Sequence, residues 1–175
     1  MSSLQKFHRR TQSAGAATFA FTTIGGGDTT HGFWLGTAGD GTSKLIVAPL
    51  STESSTLSWG SYGTRRYTTS TSNGLANTNA LAGFGEFAHP AAYYAKTVTT
   101  GGYNTWYLPA KDELRTCYSN KSATPFATAN AFGGRYRWSS TEDIGNYAWR
   151  KDFVNGNEVI YGKTNPLYVR AVRRA

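Results

Sequence analysis

A single cysteine, Cys117, in 175 residues excludes an internal disulfide and a four-cysteine zinc site. Histidine is almost as scarce. His8, His31 and His89 lie far apart in the chain and read as surface or packed side chains, not as a metal cluster. No apolar run is long enough to cross a membrane, and no apolar h-region follows MSSLQKFHRR, so neither membrane insertion nor a secretory signal peptide is expected. Catalytic signatures are also missing. GFGEF and IGGGD are glycine-rich but lack the Gly-Lys-Ser/Thr ending of a phosphate loop and the spacing of a dinucleotide fold. No nucleophile stands beside a base in a supporting context, so a non-enzyme without a cofactor is expected.

Charged residues make up only 16%, well below the usual share of about a quarter. Gly, Ser and Thr fill the gap beside an aromatic content of 14%, a mix that suits short strands and many turns with Trp and Tyr packed between them. The length fits one domain with a real core. The net charge of +8 is uneven: Lys6, Arg9 and Arg10 at one end and Lys163, Arg170, Arg173 and Arg174 at the other carry +7 of it. A nucleic-acid groove would spread its cations along the fold, so nucleic acid is not the expected partner. Two basic ends suggest arms that touch an acidic neighbour.

Residues 1–15 read as a basic arm and 16–175 as a single domain. TFAFTTIG alternates as a strand, and Phe33–Leu35 and Leu45–Val47 read as two more around an Asp40-Gly41 turn. The Ser/Thr/Gly-rich stretch from residue 51 reads as a long loop pinned by Trp59, Tyr62 and Tyr67. Helical segments follow between Leu75 and Lys96, broken near Gly83–Gly85 and restarted at Pro90. WYLPAKDELRT holds Leu108 extended ahead of Pro109 and then starts a helix, with Asp112 and Glu113 in the first turn and Leu114, Cys117 and Tyr118 as its apolar stripe. RYRWSSTED reads as a strand. NYAWRKDFVNGNEVIYG reads as a hairpin with a type I′ turn at Asn155-Gly156, Tyr147, Trp149 and Phe153 sharing a face. PLYVRAVRR reads as one closing strand with Leu167, Val169 and Ala171 on one side.

Four of these motifs, in order, resemble the Lcl C-terminal/DUF1566 domains, which are C-type-lectin-like and occur in bacterial surface and phage virion proteins. Trp106 or Tyr107, Leu108, Pro109, Glu113 and Leu114 match the helix start of that family. Trp138 to Thr141, Ala148 with Trp149, and Val169 to Arg173 match its strands. KLIVAP and NGLANTNAL are similar to phage-encoded members, and the resemblance covers roughly residues 30 to 174. Ala110 departs from it, standing where the family often has a Ser or Thr cap, a loss of typically about 1 kcal/mol.

The resemblance implies an α+β fold of C-type-lectin-like type, with a small twisted antiparallel sheet, two helices and long irregular loops. Its terminal strands would pair and join the two basic ends in one patch, making Lys6, Arg9, Arg10, Arg173 and Arg174 the candidate particle-anchoring residues. The implied function is a non-enzymatic virion structural protein on a phage particle surface, a decoration or tail/fibre component and a homo-oligomer among other virion proteins. The rival readings are a receptor-binding protein for a host surface glycan or protein, acting through loops 51–73 and 139–146, and a bacterial adhesin domain. Ligand candidates are Trp59, Tyr62, Tyr67, Glu142 and Asp143, while Trp138 and Trp149 read as core. Glu142, Asp143 and Asn146 are the candidate calcium ligands, against the plainer reading of a solvated acidic loop.

Overall fold

The structure, a computed structural model, describes residues 20–175. The expected basic arm, His8, Lys6, Arg9 and Arg10 lie outside the described residues. A first sheet has the order β1 (Gly27–Asp28), β2 (Gly32–Thr37), β3 (Lys44–Val47) and β9 (Val172–Arg174), all antiparallel. A second has the order β4 (Ser54–Leu57), β8 (Leu167–Val169), β5 (Tyr136–Ile144), β6 (Tyr147–Asp152) and β7 (Glu158–Gly162). Its β5–β8 contact is parallel. The helices are α1 (Gly74–Ala82), α2 (Pro90–Thr97), α3 (Lys111–Ser119) and the short α4 (Phe126–Ala129). The described residues thus form a mixed α+β fold with two sheets and four helices, where one small sheet and two helices were expected.

Alternation explains why so much of this chain is buried. Successive side chains of a strand point to opposite faces, and both faces of the first sheet are covered. Ile46 enters one core with Trp59, Leu81, Trp138 and the alanines of α2, whereas Leu45 and Val47 enter another with Phe33, Leu114, Phe126 and Phe153. Trp106, Tyr107 and Leu108 continue the pattern, first and third in one core and second in the other. The Tyr107 backbone bridges to Val172. This two-sided burial is why the segment before the helix is extended.

The helix that follows has no capping side chain at Ala110, and tertiary groups take that role. The Glu113 carboxylate accepts the Ala110 N–H at 2.9 Å, Thr141 Oγ1 accepts that of Lys111 at 3.0 Å, and the Thr71 carbonyl accepts that of Asp112 at 2.8 Å. Three N–H groups that the helix itself cannot satisfy are therefore bonded. Leu114 and Cys117 face the core, as the stripe requires, and Tyr118 is half-buried. Burial pushes the Cys117 thiol far above its ordinary range, which leaves it an apolar filler.

Three local expectations are corrected. Residues 20–25 form no strand; Phe21 is buried there, its carbonyl accepting from the Lys44 ammonium, and Thr18 and Phe19 lie outside the described residues. The β6–β7 connection is wider than a type I′ turn. Asp152 and Asn157 close it, Gly156 N–H bonds Asp152 O, and φ is positive at Gly156 but not at Asn155. The wider loop lets Phe153 turn into the core against Phe132, their rings 4.2 Å apart. A side chain at Gly156 would strike the Tyr118 ring, with 2.6 Å from its Cβ to the nearest ring atom. The last stretch is two strands, not one: β8 belongs to the second sheet and β9 to the first, with Ala171 O accepting Ala48 N–H at the crossing. Among the described residues the C-terminal strand therefore pairs with β3.

Candidate functional site

The irregular stretch between β4 and α1 is long, polar and nevertheless tied down along its length. Trp59, read both as a loop pin and as a ligand candidate, is 1% exposed and does pin the loop, its indole N–H donating to Ser139 O at 2.8 Å. A side chain at Gly60 would collide with the His89 ring, so only glycine lets the loop pass there. Farther on, the Lys163 ammonium donates to Thr64 O at 2.8 Å and forms a fully buried ion pair with Glu142. The Glu142 carboxylate also accepts the backbone N–H of Arg66, at 2.9 Å, and of Tyr67. Thr68 O returns a bond from Glu142 N–H at 2.9 Å, and Ser70 O accepts from Asn77 and Thr141.

These ties hold Tyr67 at φ +61° with its residue 73% exposed. The left-handed region costs a non-glycine residue about 1–2 kcal/mol and persists where surrounding bonds determine it. Here the determinant is the buried carboxylate under the chain. The Arg65 guanidinium lies 5.0 Å from the Tyr67 ring centroid, and Tyr62, 59% exposed, stands on the same loop. Arg66 turns the other way, stacked on Phe84 at 3.7 Å, its Nε–H donating to His89 Nε2 at 3.0 Å. The displayed surface is thus two tyrosines and an arginine, flanked by the exposed Phe84 and Phe87 of the α1–α2 connection.

His89 is buried, and its other nitrogen, Nδ1, bonds Trp59 O at 3.2 Å. With Nε2 accepting from a guanidinium, the ring is neutral. Burial pushes its pKa down most, the Trp59 bond opposes this, Arg66 and Lys163 push further down, and Glu142 pulls back up. A folded-state value below the ordinary 6.5 means that the unfolded chain takes up the proton first. Stability from this group is therefore complete above the ordinary value and is lost as pH falls from there through the folded-state value. The urea midpoint is expected to drop between neutral pH and about pH 5.5. His89→Gln, which keeps one donor and one acceptor, flattens that profile.

The calcium candidates are not assembled as a site. Glu142 is neither a metal ligand in a loop nor a solvated acid, because β5 runs through to Ile144 and its carboxylate is occupied by an ammonium and two N–H groups. Asp143 and Asn146 are half-buried beside it. Among the described residues no group of three or more His, Cys, Asp or Glu side chains is placed to hold a metal ion. Residues 139–144 are strand, which removes most of the second expected recognition loop. Trp138 is fully buried, as expected. Trp149 is half-buried beneath the Lys111 ammonium, 3.5 Å from its ring.

The C-terminal cations are also not an anchoring patch. Arg173 is 3% exposed and lies 3.6 Å from the Tyr103 ring and 5.3 Å from that of Trp106. Arg174 pairs with Asp40 at 3.5 Å and Glu113 at 3.8 Å. Lys163 and Arg170 are buried as well. An amphipathic cation next to aromatic and carboxylate partners is more stable inside than the charge count alone suggests. Lys163, Arg66 and His89, which build the displayed loop, had no signal in the sequence, since their partners lie 21 to 99 residues away. Phe84 and Phe87 did have one: large apolar residues in a glycine-broken, polar connection.

Among solved structures, a fimbrial protein from Bacteroides ovatus ATCC 8483 is similar in fold, with a TM-score of 0.50 at 12% identity. The match covers 75% of this chain and 36% of that protein's, so the chain spans about a third of its length. No curated protein sequence matches. The Lcl C-terminal domain matches residues 51–173, a span that holds α1 to α4, the tied loop and all of the second sheet. The chain belongs to the Lcl C-terminal domain family.

Proposed function

We propose that this chain is a non-enzymatic binding domain with a C-type-lectin-like fold, carried on the exterior of a phage particle, that recognises a host surface glycan or protein through Tyr62, Arg65 and Tyr67. The observation that carries the reading is Tyr67, an aromatic ring held out in solvent by a strained backbone over a buried ion pair. Pre-ordering a contact loop removes part of the entropy otherwise lost on binding, and an exposed tyrosine offers a stacking face with a polar tip. The non-enzymatic part is supported by the uses already made of the reactive groups. Cys117 is inert filler, and both His89 nitrogens hold structure.

With Arg173 inside, docking through paired basic ends loses its C-terminal half, which shifts the weight from a decoration role towards recognition. Tyr67→Ala and Tyr62→Ala are expected to abolish binding to host cells or to an immobilised glycan panel while leaving the circular dichroism spectrum unchanged. Tyr67→Gly relieves the left-handed strain, so its stability stays within about 1 kcal/mol of wild type or rises, although binding is lost. Undiminished binding by these variants would refute the site. Cryo-EM of the particle tests the location. Loops pointing outward support recognition, a chain wedged between subunits supports decoration, and absence from the particle favours the bacterial adhesin reading.

A further inference from the structure

Phe87 is 98% exposed, a fully projecting aromatic ring next to the exposed Glu86 on the α1–α2 connection. At another place the surface has the converse shape. A concavity of about 340 Å³ has an apolar lining that includes Phe132, Phe153, Val154, Ala127 and Ala131, with Lys121 also in its wall. A second one, sharing Ala131 and Phe132, adds Arg135 together with Glu53, whose carboxylate is already paired with Arg137.

The two features lie at opposite ends of β5. That strand begins at Tyr136, directly after the residues of the concavity, and ends beyond Glu142, which holds the Arg66 that stacks on Phe84. At about 3.3 Å per residue the ends are roughly 25 Å apart. A projecting ring with an acid beside it and an apolar hollow with bases at its wall are complementary in both shape and charge. They cannot meet within one chain.

We propose that copies of this chain associate head to tail, Phe87 of one seating in the Phe132–Phe153 concavity of the next, with Glu86 facing Lys121 and Arg135. A contact between two different patches is heterologous and propagates into a ring or an open filament, unlike a two-fold dimer. The inference is separate from ligand recognition, because it uses neither Tyr62 nor Tyr67.

Sedimentation velocity over a wide concentration range tests it. Wild type is expected to form a concentration-dependent ladder of species. Phe87→Ala, which removes the projection, and Ala131→Trp, which fills the hollow, are each expected to weaken association on the order of tenfold or more. Mixing the two variants is decisive. Each keeps the half that the other lacks, so an equimolar mixture forms a one-to-one dimer that grows no further. That dimer also shows both variants to be folded. Wild type that stays monomeric throughout, association that survives Phe87→Ala, or a mixture that fails to pair would each overturn the proposal.

Discussion

Lys163→Met is expected to cost the fold about 3–5 kcal/mol, because it leaves the Glu142 carboxylate buried without its cation. The pair is fully enclosed, with neither side chain exposed. Burial pushes the Lys163 ammonium pKa down, and the adjacent carboxylate is what opposes that shift. An apolar replacement of matching length removes the opposition without leaving a void. It also removes the bond to Thr64 O, one of the ties of the displayed loop. The measurement is a urea midpoint with the slope unchanged, together with ligand binding, which is expected to weaken as the loop loosens.

The double variant Lys163→Met/Glu142→Leu separates charge from loop support. Replacing a whole buried pair by apolar groups is often neutral. Here Glu142 also accepts the N–H groups of Arg66 and Tyr67, which the double variant orphans at about 1–3 kcal/mol each if they stay buried. Recovery is therefore expected to be partial. Full recovery would mean that the carboxylate does not hold the loop.

Glu53→Ala is expected to be at least as damaging, at about 3–5 kcal/mol, because two cations lose one shared anion. Glu53 takes a two-bonded contact from Arg137, at 2.7 and 3.1 Å, and faces Arg170 at 3.7 Å. Both guanidiniums are buried; burial pushes the pKa of Arg137 down and that of Arg170 down to about 10. Without the carboxylate they retain only carbonyl acceptors, Phe132 O and Arg135 O for one, Ala48 O and Asn130 O for the other. Set against a typical domain stability of about 5–15 kcal/mol, such a loss brings the protein near its unfolding threshold. Glu53→Gln keeps one acceptor oxygen and is expected to lose less. Equal losses in the two variants would assign the effect to the missing charge, whereas a Glu53→Gln near wild type would assign it to packing.

Much of this chain could be read locally, and the places where reading failed share one cause. The helix at Lys111–Ser119, the β2 and β3 strands and the tryptophan of RYRWSST follow from propensity, period and the constraint of Pro109, all set within a few residues. The hairpin was legible as an element, but its turn was not. The competing pull on Phe153 comes from Phe132, which local turn preference does not register.

Charge was misread for the same reason. Arg170, Arg173 and Lys163 look like a basic tail when counted along the chain. Glu53, Tyr103 and Glu142, the partners that allow their burial, become neighbours only when the two sheets close on them. Of the three aromatics read as pinning the loop, Trp59 alone is buried while Tyr62 and Tyr67 stand exposed, because nothing in SWGSYGTRRY distinguishes a ring over solvent from one over Ser139.

Patterning and ordered motifs, which are short-range properties, were enough for most of the elements and for the family. Tertiary structure alone decided which charges go inside and which ring is displayed. Those outcomes depend on pairing energies between residues 21 to 122 positions apart, and such energies exist only after the chain has folded.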